Sequence, residues 1–551
     1  MEGMAVPARA GLIGSPRPDA SGTDAVTAPL RDPTFRRIWL ASLLSNLGTL
    51  IQGVAVGWAM TLMTSSADMV ALVQTALGMP VILVAMLGGA FADVHDRRIV
   101  ALVSLGIALA GATLLAVLSG LSLLTPHILL VLCFAVGCGT ALMGPAWQTS
   151  VSEQVPPHAV PAAVALNGMS YNIARSVGPA IGGVVVATLG VFAAFTLNAL
   201  AYLPLMVALY LWNRVTPRSH LPPEQLSRAV VSGVRYILHS PSMQVVLMRS
   251  MVFGIVGGVV LALMPLVASD LLQSGAGTYG LMFSAFGVGA VISALNVTRV
   301  RRRMSSEGAH RLCAVLFGLA MALVAVSRTP VVTALALLVA GGAWNMAWTL
   351  FNIGIQLSVP RWVVGRSLAA YHAASTGGIA IGSWGWGHLA AGAGVQTALL
   401  VSGTLMVGSA LIGVWFRMPH VRAQDEPSQL LEDPEVSLPL TGNEGPLVVM
   451  IEYRVAPANA REFCERMEAV QLSRQRNGAY GWSIARDLAD PELWTERYHC
   501  PTWHDYLRLR NRPTQAERVL QQQVLDFHIG PGDVRVRRML EGPVSSGLAQ
   551  G

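Results

Sequence analysis

Lysine is absent from all 551 residues, so each of the 37 basic side chains is arginine. A Gly-Lys-Ser/Thr phosphate loop is therefore excluded, which argues against ATP as a directly bound energy source. The lack of lysine itself reads as a GC-rich coding bias rather than as a site. Charge is scarce, at 12% of residues, against about a quarter in a typical soluble domain. A soluble fold does not explain that deficit. The five cysteines are an odd number, and Cys133, Cys138 and Cys313 lie inside apolar runs. Small buried thiols fit there better than a disulfide framework or a metal site, and no cofactor is expected. The segment up to Pro33 is rich in Pro, Gly, Ser and Ala and has no apolar core. It reads as a disordered tail rather than a cleaved signal peptide. Carboxylates are missing from the middle of every long apolar run. The net charge is +7 and the pI about 9.5. Its arginines are spread along loop edges without a compact basic module, which excludes a nucleic-acid partner.

Apolar residues make up 53% of the chain and mean hydropathy is +0.53. One bilayer crossing needs about 20 consecutive apolar residues, and runs bounded by Pro, Gly or charge give twelve candidate spans. The first six lie at 38–62, 70–92, 99–121, 127–150, 162–187 and 191–212. The second six lie at 244–269, 278–299, 311–327, 330–357, 366–390 and 395–417. Residues 213–243 carry Arg214, Arg218, Pro222, Pro223, Glu224 and Arg228 and are too polar for lipid. The expected organisation is a tail (1–33), a six-helix half (34–212), a connector (213–243), a second half (244–417), a linker (418–445), a soluble domain (446–540) and a second tail (541–551). The fold class is thus an all-α polytopic membrane protein of twelve helices in two six-helix halves, with a small α+β domain appended.

Loop arginines set orientation. Arg31, Arg36, Arg37, Arg97, Arg98, the connector arginines, Arg299, Arg301 to Arg303, Arg361, Arg366 and Arg417 share one side, against Asp68, Asp270 and Arg328 on the other. The arginine-rich side, with both termini, is expected in the cytoplasm of a bacterial cell, and the helices in its inner membrane.

Beyond the linker the pattern becomes that of a soluble domain. Strand-type runs at Leu447–Val455, Tyr480–Arg486, Leu493–His499 and Val534–Arg538 alternate with helical runs at Asn459–Arg474 and Thr514–Phe527. This βαββαβ order is ferredoxin-like.

Two local patterns point to moving helices. Gly88-Gly89-Ala90-Phe91-Ala92-Asp93-Val94-His95-Asp96-Arg97-Arg98 follows the second span and closely resembles the loop signature of the major facilitator superfamily. Glycine allows close helix approach, and an Asp at the membrane edge can pair with Arg in one conformation of a rocking transporter. Gly89, Asp93, Arg97 and Arg98 are the expected conformational latch, although the two arginines also serve topology alone. In the fifth span, Gly178-Pro179-Ala180-Ile181-Gly182-Gly183 resembles an element carried there by many exporters of that superfamily. Gly178, Pro179, Gly182 and Gly183 thin the helix and remove a backbone donor, which suits bending or ordinary packing equally.

Polar groups inside the spans are candidates for a substrate cavity or for coupling: Asn46, Gln52, Asn167, Asn172 and Arg175 in the first half, Asn345, Asn352, Gln356 and His372 in the second. Arg175 is the cation set well inside a first-half span, where charge is expensive unless it faces a cavity or a partner. Buried Asn and Gln also hold helices together, and a lone His is more often structural than a proton relay.

Phe35, Trp39, Asn46, Gly48, Gln52 and Trp58, the Asp93 loop, and the stretch from Ala165-Leu166-Asn167 to Gly183 together resemble the transmembrane secretion effectors, a branch related to enterobactin exporters. The resemblance spans about Asp32 to Arg417 and implies alternating access and export of a small siderophore- or drug-like molecule, with proton antiport as the usual energy source. The second half departs from the first, since Gly287 to Arg303 lacks a counterpart of Asp93. From Pro446 to Arg538 the chain resembles dimeric α+β barrels of the antibiotic-biosynthesis-monooxygenase type, which implies possible homodimerisation. There Trp482, Trp494, Tyr498, His499, Trp503 and His504 suit a small pocket or a core and pairing face, and no nucleophile and base pair is evident, so the chain is not expected to be an enzyme. Import of a small molecule, or a membrane-tethered enzyme or sensor acting through the tail, are the competing readings.

Overall fold

The computed structural model describes residues 28–94, 97–156, 159–212, 226–360, 363–418, 443–511 and 513–541, with a few positions between 434 and 441. In hydrocarbon each backbone polar group must be satisfied within its own segment, so apolar runs of this length become helices. The first half comprises α1 (Pro33–Met63), α2 (Ala67–Val94), α3 (Arg97–Gly120), α4 (Pro126–Glu153) and α5 (Val160–Tyr210). Helix α1 begins where Asp32 accepts hydrogen bonds from the Thr34 and Phe35 backbone N–H groups, at 2.7 and 2.9 Å, with proline at the first helical position. With 51 residues, α5 is about 76 Å long, more than twice the hydrocarbon thickness of about 30 Å. Gly190, at φ 84° and ψ 174°, divides it into two arms that each cross once.

The connector contributes α6 (Leu226–Leu238). The second half has α7 (Pro241–Gly257) continued by α8 (Val259–Leu266) and a π turn, then α9 (Ala276–Arg303), α10 (Ser306–Val326), α11 (Pro330–Ser358), α12 (Val364–Ala393), and α13 (Val395–Ser409) continued by α14 (Ile412–Trp415). With α5 crossing twice, this makes two sets of six crossings. Among the described residues nine helical stretches are long and apolar enough to span a membrane on their own composition, one being Ala162–Tyr210 with its two arms. Helix α12 is not among these. It is rich in glycine and serine and packs on both α2 and α7, so less of its surface has to be apolar.

Alternating crossings define two ends of the bundle. The terminal end holds the start of α1, the end of α2, the start of α3 and the connector helix α6. The distal end holds the α1–α2, α8–α9 and α12–α13 loops. At the terminal end of the second half, Glu307 accepts from Arg249 Nη1 at 2.5 Å, Arg311 Nε at 3.0 Å and the Met418 N–H at 3.1 Å. A carboxylate at the start of α10 thereby ties α7 to the chain that leaves α14. Arg249 is buried, and its cost within an apolar helix is offset by this ion pair.

The C-terminal domain runs β1 (Leu447–Arg454), α15 (Ala460–Arg476), β2 (Tyr480–Arg486), β3 (Leu493–Cys500), α16 (Trp503–Asn511), α17 (Gln515–Leu525) and β4 (Arg535–Leu540). The strands are antiparallel in the order β2-β3-β1-β4, which is the βαββαβ plan. Helix α16 is an addition to the expected pattern. It starts where the Thr502 hydroxyl accepts from the Asp505 N–H at 3.2 Å, and it buries Trp503, Tyr506 and Leu509. It is nine residues long, and Leu507-Arg508-Leu509-Arg510 alternates as a strand would, which hides it in sequence. Glu496 on β3 is fully buried and accepts from Tyr453 Oη at 3.0 Å, Arg474 Nε at 3.1 Å and Trp482 Nε1 at 3.0 Å. Beside that network Cys500 is buried, which pushes its thiol up to about 12.

This domain meets the bundle through α6. Arg235 Nη1 donates to the Gly478 carbonyl oxygen at 2.9 Å, Tyr236 is buried in the main core, and the stem of Arg366 from α12 lies against Gly233. The connector helix thus sits between the soluble domain and the terminal end of the helices.

Removing the Glu496 carboxylate strands a buried guanidinium, so Glu496→Ala is expected to destabilise the C-terminal domain by about 3–5 kcal/mol. In the full chain this should raise amide hydrogen exchange in β1 and β3 and speed alkylation of Cys500 at pH 8, read by peptide mass mapping, with exchange in α9 unchanged.

Candidate functional site

The two halves meet along two helix pairs and a ring contact. On one side, Thr75 Oγ1 of α2 donates to the Ala380 carbonyl oxygen of α12 at 2.8 Å, and Gly78 lies against Thr376. On the other side, α5 and α9 cross with backbones in contact: a Cβ on Gly280 would stand 2.5 Å from the Pro179 carbonyl oxygen and 2.6 Å from Gly183 Cα. Gly287, one heptad further along α9, abuts the Arg175 backbone. Near the distal end, the rings of Trp58 on α1 and Tyr279 on α9 stack with centroids 6.3 Å apart. These contacts lie in the distal part of each helix or at its middle, so the bundle is joined at its distal end.

The exporter-type element supplies part of that joint. Gly178 and Gly182 face α1, where Leu50 and Ile51 approach, while Gly183 faces α9 across the halves. Backbone dihedrals depart from helical values at Gly190, not at Pro179, so in this conformation the element acts by close packing.

The expected polar residues separate into two groups. Asn46 donates to Ser170 Oγ at 3.3 Å, Asn198 donates to Gln52, and Trp147 Nε1 donates to Asn167 Oδ1 at 2.9 Å. All three bonds stay within the first half and join its own helices. The backbone carbonyl of Asn172 accepts from Ser176 Oγ at 3.0 Å. Gln356 Nε2 donates to Asn352 Oδ1 one turn back on α11 at 2.5 Å, and His372 is exposed on α12, its ring 5.3 Å from Tyr371. In contrast, Arg175 Nη1 reaches across the halves to Asn345 Oδ1 at 3.3 Å. Asn345 is held in turn by donating to the Ala290 carbonyl oxygen and Ser293 Oγ of α9, both at 3.1 Å, and the Arg175 guanidinium lies 5.7 Å from the Phe286 ring centroid.

Of the expected latch, the backbones of Gly89, Asp93 and Arg97 are helical, but their side chains lie outside the described residues, as do His95 and Asp96. Arg98 donates to the Tyr210 carbonyl oxygen and covers the Tyr210 ring at 5.7 Å, which joins α3 to the end of α5. Reading by sequence overlooked Arg249 and Glu307. The signal was there, an arginine inside the 244–269 run and a glutamate four residues after Arg303. In the C-terminal domain the aromatic residues expected to share a pocket divide between faces: Tyr498 and Trp503 belong to the core, whereas His499 stacks on Tyr480 on the opposite face of β3. No group of three or more His, Cys, Asp or Glu placed to hold a metal ion occurs among the described residues.

Two six-helix halves joined by glycine-lined helix pairs define a major facilitator superfamily transporter. The profile of the transmembrane secretion effectors matches residues 24–545, and the chain belongs to that family. It is 24% identical over 402 residues to the multidrug efflux pump Tap of Mycolicibacterium fortuitum, covering 70% of this chain and 96% of that protein. It is 30% identical over 271 residues to the enterobactin exporter EntS of Shigella flexneri, covering 48% and 62%. Among solved structures the nucleoside transporter NupG superposes with a TM-score of 0.54 at 13% identity, over 70% of this chain and 99% of that one, which supports the fold. The chain is a multi-pass membrane transporter.

A leucine at Gly280 cannot fit the α5–α9 contact. Gly280→Leu should disfavour the joined distal end by about 1–3 kcal/mol through overpacking. Spin labels at positions 122 and 328, in distal loops of the two halves, should then report a distance distribution shifted to longer values by pulsed electron resonance.

Proposed function

We propose that this protein exports a small organic molecule, siderophore- or drug-like, across the bacterial cytoplasmic membrane by alternating access coupled to proton antiport. The observation that carries this reading is the joint between the halves at the distal end, together with relatives that are efflux pumps over nearly their whole length. Both termini and α6 lie on the cytoplasmic side, as the loop arginines indicate. With its distal end closed, the bundle is then in the state that loads substrate from inside the cell. Rocking of the halves about α2–α12 and α5–α9 opens the opposite face.

Gly89, Asp93, Arg97 and Arg98 serve as the latch between α2 and α3, and Gly178, Pro179, Gly182 and Gly183 let α5 slide on α1 and α9. Asn172, Arg175, Asn345, Asn352 and Gln356 face substrate, while Asn46, Gln52 and Asn167 hold the wall of the cavity in place. His372, exposed and titratable within α12, is the candidate proton carrier. Two copies pair through the C-terminal domain, where Met539 of β4 is exposed.

Cellular accumulation of a fluorescent and siderophore-like compound panel tests this reading. Cells making the intact protein should retain several-fold less of at least one compound than cells without it. Asp93→Asn and collapse of the proton gradient should each abolish the difference. Protein-dependent uptake of a compound, or efflux indifferent to the gradient, would overturn export by proton antiport.

A further inference from the structure

Among the described residues, no anion neutralises the charge of Arg175. It stands about midway along the first arm of α5, fifteen residues from Val160 and from Gly190, or about 22 Å of helix from each. Asn345 lies at the corresponding midpoint of α11. Two helices from opposite halves therefore present these groups at the same depth, independently of any assumed membrane position. A guanidinium has five N–H donors and no acceptor. One of them meets the neutral Asn345 oxygen, and the ring of Phe286 supplies a weak electrostatic contact. The Asn345 amide nitrogen is committed to Ala290 and Ser293, which aims its oxygen at Arg175. Neither partner is an anion.

The described carboxylates of the two halves are remote from this depth. Asp68 begins α2 and Asp270 ends the π turn at the distal end, whereas Glu307 sits at the terminal end, paired with Arg249 and Arg311. Among the described residues no carboxylate pairs with Arg175. The two arginines are thus treated differently: buried Arg249 is neutralised by the chain itself, whereas half-buried Arg175 meets no described carboxylate. A cation kept unpaired at mid-depth, where charge is costly, needs its counter-ion from elsewhere.

We propose that the substrate supplies it, and that this transporter selects an amphipathic organic monoanion whose carboxylate or equivalent acid group is held by Arg175 with its apolar body against Phe286. The planar fork of arginine suits a carboxylate through paired N–H bonds. Asn345 takes one of the five N–H donors, which leaves the paired donors of Nη2 and Nε for the acid group. This inference rests on the reading of the space between the halves as the substrate path.

The test measures binding by titration calorimetry to the full-length protein in lipid nanodiscs, with empty nanodiscs as baseline. The probes are 2-naphthoate and its neutral isostere 2-naphthamide. The unmodified protein should prefer the carboxylate by at least about tenfold, the scale of one charge-assisted hydrogen bond. Arg175→Lys should keep a preference of the same sign, and Arg175→Gln should abolish it. Asn345→Asp keeps Arg175 but places a carboxylate beside it, and should also abolish the preference. A wild-type protein without preference for naphthoate, including one that binds neither probe, overturns the proposal, as does an Arg175→Gln or Asn345→Asp variant that still discriminates. Selective binding by a protein that does not export places the failure with the export reading. Export by a protein that binds both probes alike places it with anion selection.

Discussion

The contact of α5 with α9 is the constraint on which the remaining geometry depends. Lipid offers no hydrophobic drive for two helices to associate, so the halves are held by close van der Waals packing and by hydrogen bonds. Glycines at 183, 280 and 287 let the backbones touch, and that approach brings the middle of α5 within reach of α11. Without it, Arg175 and Asn345 would sit on opposite walls of an open cleft. The same contact is weak enough in specific bonds to be broken and remade, which is what a rocking mechanism requires. Thr75 and Ala380 make the equivalent joint on the other side with one hydrogen bond.

Charge is placed on the same principle. Glu307, Arg249 and Arg311 form a compact knot within the second half, away from the contacts between the halves. The C-terminal domain repeats the pattern with Glu496, whose three donors come from β1, α15 and β2. In both places a carboxylate, half-buried at Glu307 and fully buried at Glu496, is held by several donors, and the cost of desolvation is offset by short bonds. The soluble domain is attached through α6, which also touches α12, so its seat lies on the connector rather than on either half alone.

Much of the architecture was legible in the residues. Twelve apolar runs, the polar connector and the βαββαβ alternation all follow from periodicity and composition, because lipid and a sheet face each demand a simple repeating pattern. Helix α16 escaped notice because it is short and Arg508 and Arg510 alternate with Leu507 and Leu509 as in a strand, and its start depends on a local Thr502–Asp505 cap. Among candidate site residues, residue type alone could not tell Asn46, Gln52 and Asn167 from Asn345, since all are amides inside the spans. Only their partners differ: the first three bond within one half, and Asn345 bonds across.

The sequence by itself determined that the chain spans a membrane many times in two halves, that it carries a soluble α+β tail, and that Arg175 is an isolated cation inside a helix. These are one-dimensional properties, set by hydropathy and by the cost of charge in lipid. Tertiary structure decided which end of the bundle is joined, that Glu307 rather than a counterpart of Asp93 anchors the second half, and that Arg175 faces the other half with a neutral partner. Those facts depend on contacts between residues far apart in the chain, from the 58 positions between Arg249 and Glu307 to the 305 between Thr75 and Ala380, and helix packing, not local pattern, sets them.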